Sequence, residues 1–153
     1  MRVTLDTSIL VRAHQNADGL ARALVLEMLA AGHVLVLSAS MLEEVERVMS
    51  YPRLMKTSRL RPEQVVDYLE FLSVASAIVE IDETLTAPIR DSDDVHVLQT
   101  AIAGKADVVC TLDAHFHEPA VIHFCESNGI RVLTDVELIR LIRGIQSDQP
   151  VSD

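Results

Sequence analysis

Strands and helices alternate along this chain in a way that predicts a three-layer α/β domain, with a mostly parallel sheet of about five strands between helices. Three observations carry that expectation. Short runs rich in Val and Ile recur at intervals, and several are continuously apolar, as in strands covered on both faces. The stretches between them repeat their apolar residues with a helical period. The 153 residues are 49% hydrophobic, enough to fill a core between such layers.

The elements follow in order. Arg2–Asp6 (RVTLD) reads as the first strand, and Thr7–Ala13 as a segment that Asp6 can cap. Asp18–Ala31 carries Leu20, Leu24 and Met28 on one helical stripe. His33–Leu37 (HVLVL) is the second strand. Ser40–Ser50 is a helix with Met41, Leu42, Val45, Val48 and Met49 on its apolar side and Ser40 as its expected N-cap. Pro62–Val74 opens with Pro at a first-turn position and carries Val65, Val66, Leu69 and Leu72. Ala77–Ile81 is the third strand, Ser92–Ala103 a helix, Asp107–Thr111 the fourth strand, Glu118–Ser127 a helix and Ile130–Leu133 the fifth strand. The last helix opens with Thr134-Asp135-Val136-Glu137, a capping box. Residues 1–145 read as one domain and 146–153 as a polar, frayed tail.

Composition excludes several classes. No apolar run reaches the ~18 residues of a membrane span, and the N-terminus lacks a secretory apolar region, so a cytoplasmic protein is expected. Two cysteines, Cys110 and Cys125, make neither a disulfide framework nor a zinc site. Aromatics are 3%, too few for a base-stacking platform. Lys and Arg total 13 against 23 acids, a net charge of −10, so nucleic acid cannot be held by bulk charge. Any nucleic-acid site needs local basic residues or metal ions.

In a parallel sheet the functional edge lies at the carboxyl ends of the strands. Asp6 ends the first strand, and Asp113 follows the fourth. Asp94, in the first turn of its helix, aligns with Val97, Leu98 and Ala101 and so points along the buried face. A lone buried carboxylate is costly unless a cation or donor meets it. Asp91 and Asp93 fit an ordinary acidic helix start. On the Ser40 helix, Glu43 suits a capping box and can pair with Arg47. Glu44 borders the apolar stripe on one side and Glu46 on the other, and periodicity does not choose between them. Convergent carboxylates repel unless a cation sits between them, and hard oxygen donors suit one or two Mg²⁺ or Mn²⁺ ions. Such a site polarises a phosphodiester and acidifies a bound water.

These residues resemble the PIN-domain family of metal-dependent ribonucleases, over about Arg2 to Ile145. Val3-Thr4-Leu5-Asp6-Thr7-Ser8 is similar to the family's apolar strand followed by Asp-Thr-Asn. The stretch from Ser38 through Glu44 to Tyr51-Pro52 resembles the family's run from a strand-ending Ser through a Glu to an Arg-Pro-like turn, and that resemblance selects Glu44 over Glu46. Asp91-Ser92-Asp93-Asp94 resembles an Asp-Pro-Asp-Asp helix start whose last Asp is the ligand, with Asp91 as an auxiliary. Ala106 to Asp113 resembles Ala-Asp-x-Ile-Val-Thr-Gly-Asp, which gives Thr111 and Asp113. The resemblance implies a PIN-like (Rossmann-like) fold and an endoribonuclease with Asp6, Glu44, Asp94 and Asp113 as catalytic and metal-binding residues. Ser8, Thr111 and Asp91 would orient ligands or water. The branch it points to is the toxin component of bacterial toxin–antitoxin pairs, with a cognate antitoxin as inhibitor and often a homodimer. Ser8 in place of the usual Asn and Leu112 in place of a common Gly are departures.

Arg47, Arg53, Lys56, Arg59 and Arg61 hold five of the 13 basic residues, and no acid lies between Arg47 and Pro62. They form the candidate RNA-binding arm. His115, His117 and His123 match no helical metal-pair spacing and read as loop and helix-start residues, with a substrate-positioning role beside Asp113 open. A haloacid-dehalogenase-type phosphatase needs a second Asp where Ser8 stands, and a receiver domain needs a strand-end Lys that is absent. A P-loop and a Gly-rich dinucleotide fingerprint are also missing. The alternatives are a non-catalytic RNA- or protein-binding module of the same fold, or a metal-dependent phosphatase on small phosphates.

Overall fold

The computed structural model describes residues 1–144. The tail expected at 146–153 lies outside the described residues. Five strands, β1 (Arg2–Leu5), β2 (Val34–Ser38), β3 (Ser76–Val79), β4 (Val108–Cys110) and β5 (Arg131–Leu133), form one sheet in the order β3-β2-β1-β4-β5. Every pairing is parallel. Each strand therefore needs a crossover, and the intervening chain supplies helices. The chain winds outward from β1 to β3, then returns to build β4 and β5 on the other side. The switch point between β1 and β4 is where such sheets open a crevice at the strands' carboxyl ends. The expected three-layer α/β architecture is what the chain adopts.

Among the described residues eight α-helices flank the sheet: α1 (Thr7–Arg12), α2 (Leu20–Ala30), α3 (Ala39–Met49), α4 (Pro52–Ser58), α5 (Pro62–Ala75), α6 (Val95–Ala103), α7 (Pro119–Ser127) and α8 (Asp135–Arg143). Val3, Leu5, Leu35, Leu37, Val109 and Cys110 are fully buried strand residues; Ile9, Leu24, Met41, Leu72 and Leu98 meet them from the helices, and Phe116 from the 3-10 turn Ala114–His117. Tyr68 of α5 ties down α1, its hydroxyl donating to the Leu10 carbonyl at 2.5 Å. At Gly104, where α6 ends, a Cβ would run into the Val36 side chain of β2, so glycine permits the helix to lie this close to the sheet. The last helix has the expected capping box, with Thr134 and Glu137 satisfying each other's backbone N–H groups.

The structure corrects four details. The N-cap of α3 is Ser38, not Ser40: the Ser38 hydroxyl accepts from the Met41 N–H, so the helix starts earlier and Glu43 is not a capping-box residue. The expected helix from Ser92 begins as a 3-10 turn (Ser92–Asp94) and becomes α-helical only at Val95. The basic stretch contains a separate short helix, α4, started by Pro52 and stopped by Arg59 in the left-handed conformation at φ 52. The edge strand β3 ends two residues sooner than its apolar run. Both cysteines are free and buried, and burial pushes the Cys110 thiol up to about 12 and the Cys125 thiol up to about 11, as inert core thiols require. Among the described residues no helix is long and apolar enough to cross a membrane.

Candidate metal centre

Asp6 is carried to the switch point by the end of β1. It occupies the N-cap position of α1, yet its side chain makes no capping bond. Its carboxylate is instead held by hydroxyls. Thr111 donates to Oδ2 at 2.7 Å, Thr7 to Oδ1 at 3.3 Å and Ser8 to Oδ2 at 3.4 Å. The buried Thr111 hydroxyl also accepts the Asp113 N–H at 3.0 Å. One side chain thus links the ends of neighbouring strands β1 and β4.

Asp113 starts the 3-10 turn Ala114–His117, and its Oδ1 accepts the His115 N–H at 2.9 Å. That bond leaves the second carboxylate oxygen of Asp113 free of the turn. Asp91 is exposed, and its Oδ1 accepts the Asp93 N–H at 2.9 Å, so it caps the turn before α6. Asp94 is half-buried, and its Oδ2 is buried without a hydrogen-bonding partner. Burial pushes its pKa up to about 6, and the negative charges of Asp113, Asp6, Asp91 and Glu44 add to the shift.

Glu44 is half-buried while Glu46 is exposed, so the fold turns Glu44 toward the centre. Its Oε2 lies 2.9 Å from His96 Nε2, and its Oε1 lies 3.6 Å from Arg47. The Glu44–His96 contact is misaligned for a hydrogen bond, which leaves both atoms buried and unpartnered. An open cleft of about 820 Å³ lies alongside, with Glu44, Arg47, Asp93, His96 and Gln99 on its wall.

Among the described residues Asp94, Asp113 and His115 form a group of possible ligands, with one atom from each within 4.8 Å of the others. Asp6 and Glu44 stand outside that trio, but close enough for their charge to act on Asp94. Of the five candidate RNA-binding residues, Arg47 is the one that reaches an acid of the centre among the described residues, Glu44. Arg53, Lys56, Arg59 and Arg61 are exposed on α4 and the loop after it, and among the described residues they form no ion pair. His117 bonds the Thr111 carbonyl at 2.9 Å and fixes the loop. Sequence reasoning missed His96 and set His115 among the ordinary loop residues. The signal was a repeated Asp-x-His, at Asp94-Val95-His96 and Asp113-Ala114-His115, each at the start of a helical turn.

The donor set fits a divalent cation. Carboxylate oxygens of Asp94 and Asp113 lie within 4.8 Å of each other, and two buried oxygens, Asp94 Oδ2 and Glu44 Oε2, have no hydrogen-bonding partner. The raised pKa marks the charge a cation would neutralise. A family model described as PIN domain matches residues 2–115. No curated protein matches the sequence.

Proposed function

The chain belongs to the PIN-domain family, and on that premise we propose that it is an Mg²⁺- or Mn²⁺-dependent endoribonuclease. The fold is of nuclease type, and the observation that carries the reading is the unpartnered Asp94 carboxylate among like charges at the switch point. Asp94 and Asp113, with Asp6 and Glu44 beside them, would hold one or two ions. A divalent cation held there supplies positive charge to a phosphodiester and acidifies a water. The protein's own part is positional. Thr111 and Ser8 aim the Asp6 carboxylate, and His96 crowds Glu44 from α6. Arg47, Arg53, Lys56, Arg59 and Arg61 would meet RNA phosphates beside the cleft. In-line hydrolysis would leave 3′-hydroxyl and 5′-phosphate ends.

The test is cleavage of labelled single-stranded RNA with Mn²⁺, Mg²⁺ or EDTA, using the wild type and Asp94→Asn. Metal-dependent cleavage that drops at least a hundredfold in the variant is expected, the range typical of losing one charge-bearing group in a site. Cleavage unchanged in Asp94→Asn, or unaffected by EDTA, sinks the reading. A folded protein that binds Mn²⁺ and cuts nothing would favour a binding module.

Within this reading residues 1–145 act as one cytoplasmic domain, the toxin of a toxin–antitoxin pair, inhibited by a cognate antitoxin and working as a homodimer. Induced expression of the wild type should arrest bacterial growth, and Asp94→Asn should not. Equal growth of both strains would remove the toxin role.

A further inference from the structure

We infer that His115 ligates the metal directly through Nδ1, and that its nitrogen makes the centre prefer Mn²⁺ over Mg²⁺. The inference rests on the reading that Asp94 and Asp113 bind a divalent cation. His115 is an unusual surface histidine. Its side chain is 43% exposed, yet Nδ1 itself is buried and has no hydrogen-bonding partner. The atom able to ligate faces inward while the rest of the ring faces water.

Its placement is fixed by the backbone. The His115 N–H is spent on Asp113 Oδ1 at 2.9 Å, which leaves Nδ1 3.8 Å from that same oxygen. That is too long for a hydrogen bond. It falls between the roughly 3.0 Å of adjacent and 4.4 Å of opposite donors on a six-coordinate ion, so a small turn of the imidazole brings both atoms within reach of one ion. The Asp94 oxygen completes the trio within 4.8 Å.

Two carboxylates with one imidazole are a mixed oxygen–nitrogen set. Both ions favour oxygen donors, but Mn²⁺ is a first-row transition ion and gains more from a nitrogen donor than Mg²⁺, which takes oxygen ligands almost exclusively. His96 supplies an internal contrast: its Nε2 is also buried and unpartnered, but it lies against Glu44 at 2.9 Å and outside the trio.

Pulsed electron paramagnetic resonance on the Mn²⁺-loaded protein, without RNA, reads the bond itself. The wild type and His96→Ala should show ¹⁴N modulation from a bound imidazole. His115→Ala should lose it while still holding Mn²⁺ through Asp94 and Asp113. In competition titrations His115→Ala should bind Mn²⁺ about tenfold more weakly, with Mg²⁺ binding nearly unchanged. Four results would overturn the inference: bound Mn²⁺ without ¹⁴N modulation in the wild type, modulation persisting in His115→Ala, equal losses for both ions, or no bound Mn²⁺. A protein that cleaves RNA but lacks the modulation keeps its proposed function and loses this ligand. One that shows the modulation and cleaves nothing does the reverse.

Discussion

At Asp94 burial and charge work against ionisation. An unfolded carboxyl loses its proton near 3.8, and this one near 6 in the folded state. Between those values the folded protein holds a proton that the unfolded chain has released, so stability falls as pH rises through that window. Below it the group costs nothing. Without metal, Asp94→Asn should therefore melt above the wild type at pH 7–8 and level with it below pH 4. The side chain is only half-buried, so the gain is on the order of 1 kcal/mol after discounting for solvent screening. Saturating Mn²⁺ should reverse the order, stabilising the wild type alone. Thermal melts in EDTA and in Mn²⁺ check both. That Asp94 points inward was legible from its spacing to Val97, Leu98 and Ala101, because a helix turns the same face every three to four residues. The Glu44–Glu46 choice was not legible that way, since both border the stripe; the contact with His96 comes from another element, and no local period encodes it.

Helix α4 owes its existence to Pro52 and its brevity to Arg59, neither of which leaves an apolar period to read. It carries Arg53 and Lys56 outward, and Arg59 stands at its end. If these three touch RNA phosphates, replacing all with Ala should weaken RNA binding and flatten the salt dependence by about two log–log units, near 0.7 per contact. Fluorescence anisotropy from low to moderate salt measures the slope, and an unchanged slope would detach α4 from the RNA path. At the other end of the site's scaffold, Gly104→Ala drives a methyl into Val36 where α6 meets β2. It should cost about 1–3 kcal/mol, typical of overpacking, read from the urea midpoint. Strands were easier to find than to bound. The apolar run at the third strand continues to Ile81, but pairing with β2 ends at Val79, where Ser38 closes the partner strand.

For the whole molecule, alternation of periods announced a parallel sheet because parallel strands require crossovers, and the crossovers here are helices. Strand order was beyond that argument. Which strand lies beside β1 depends on long-range packing of Val3, Leu5, Val108 and Cys110 rather than on any neighbour in the chain. The central place of β1, with Asp6 at its end and Thr111 reaching over from β4, has a consequence for biosynthesis. Ribosomes deliver the N-terminus first. Asp6 and Glu44 are made before β4, so β1 keeps one open edge, and Asp6 lacks its shortest hydrogen bond, until residues 108–113 emerge. A polypeptide cut short by a damaged message ends without the centre.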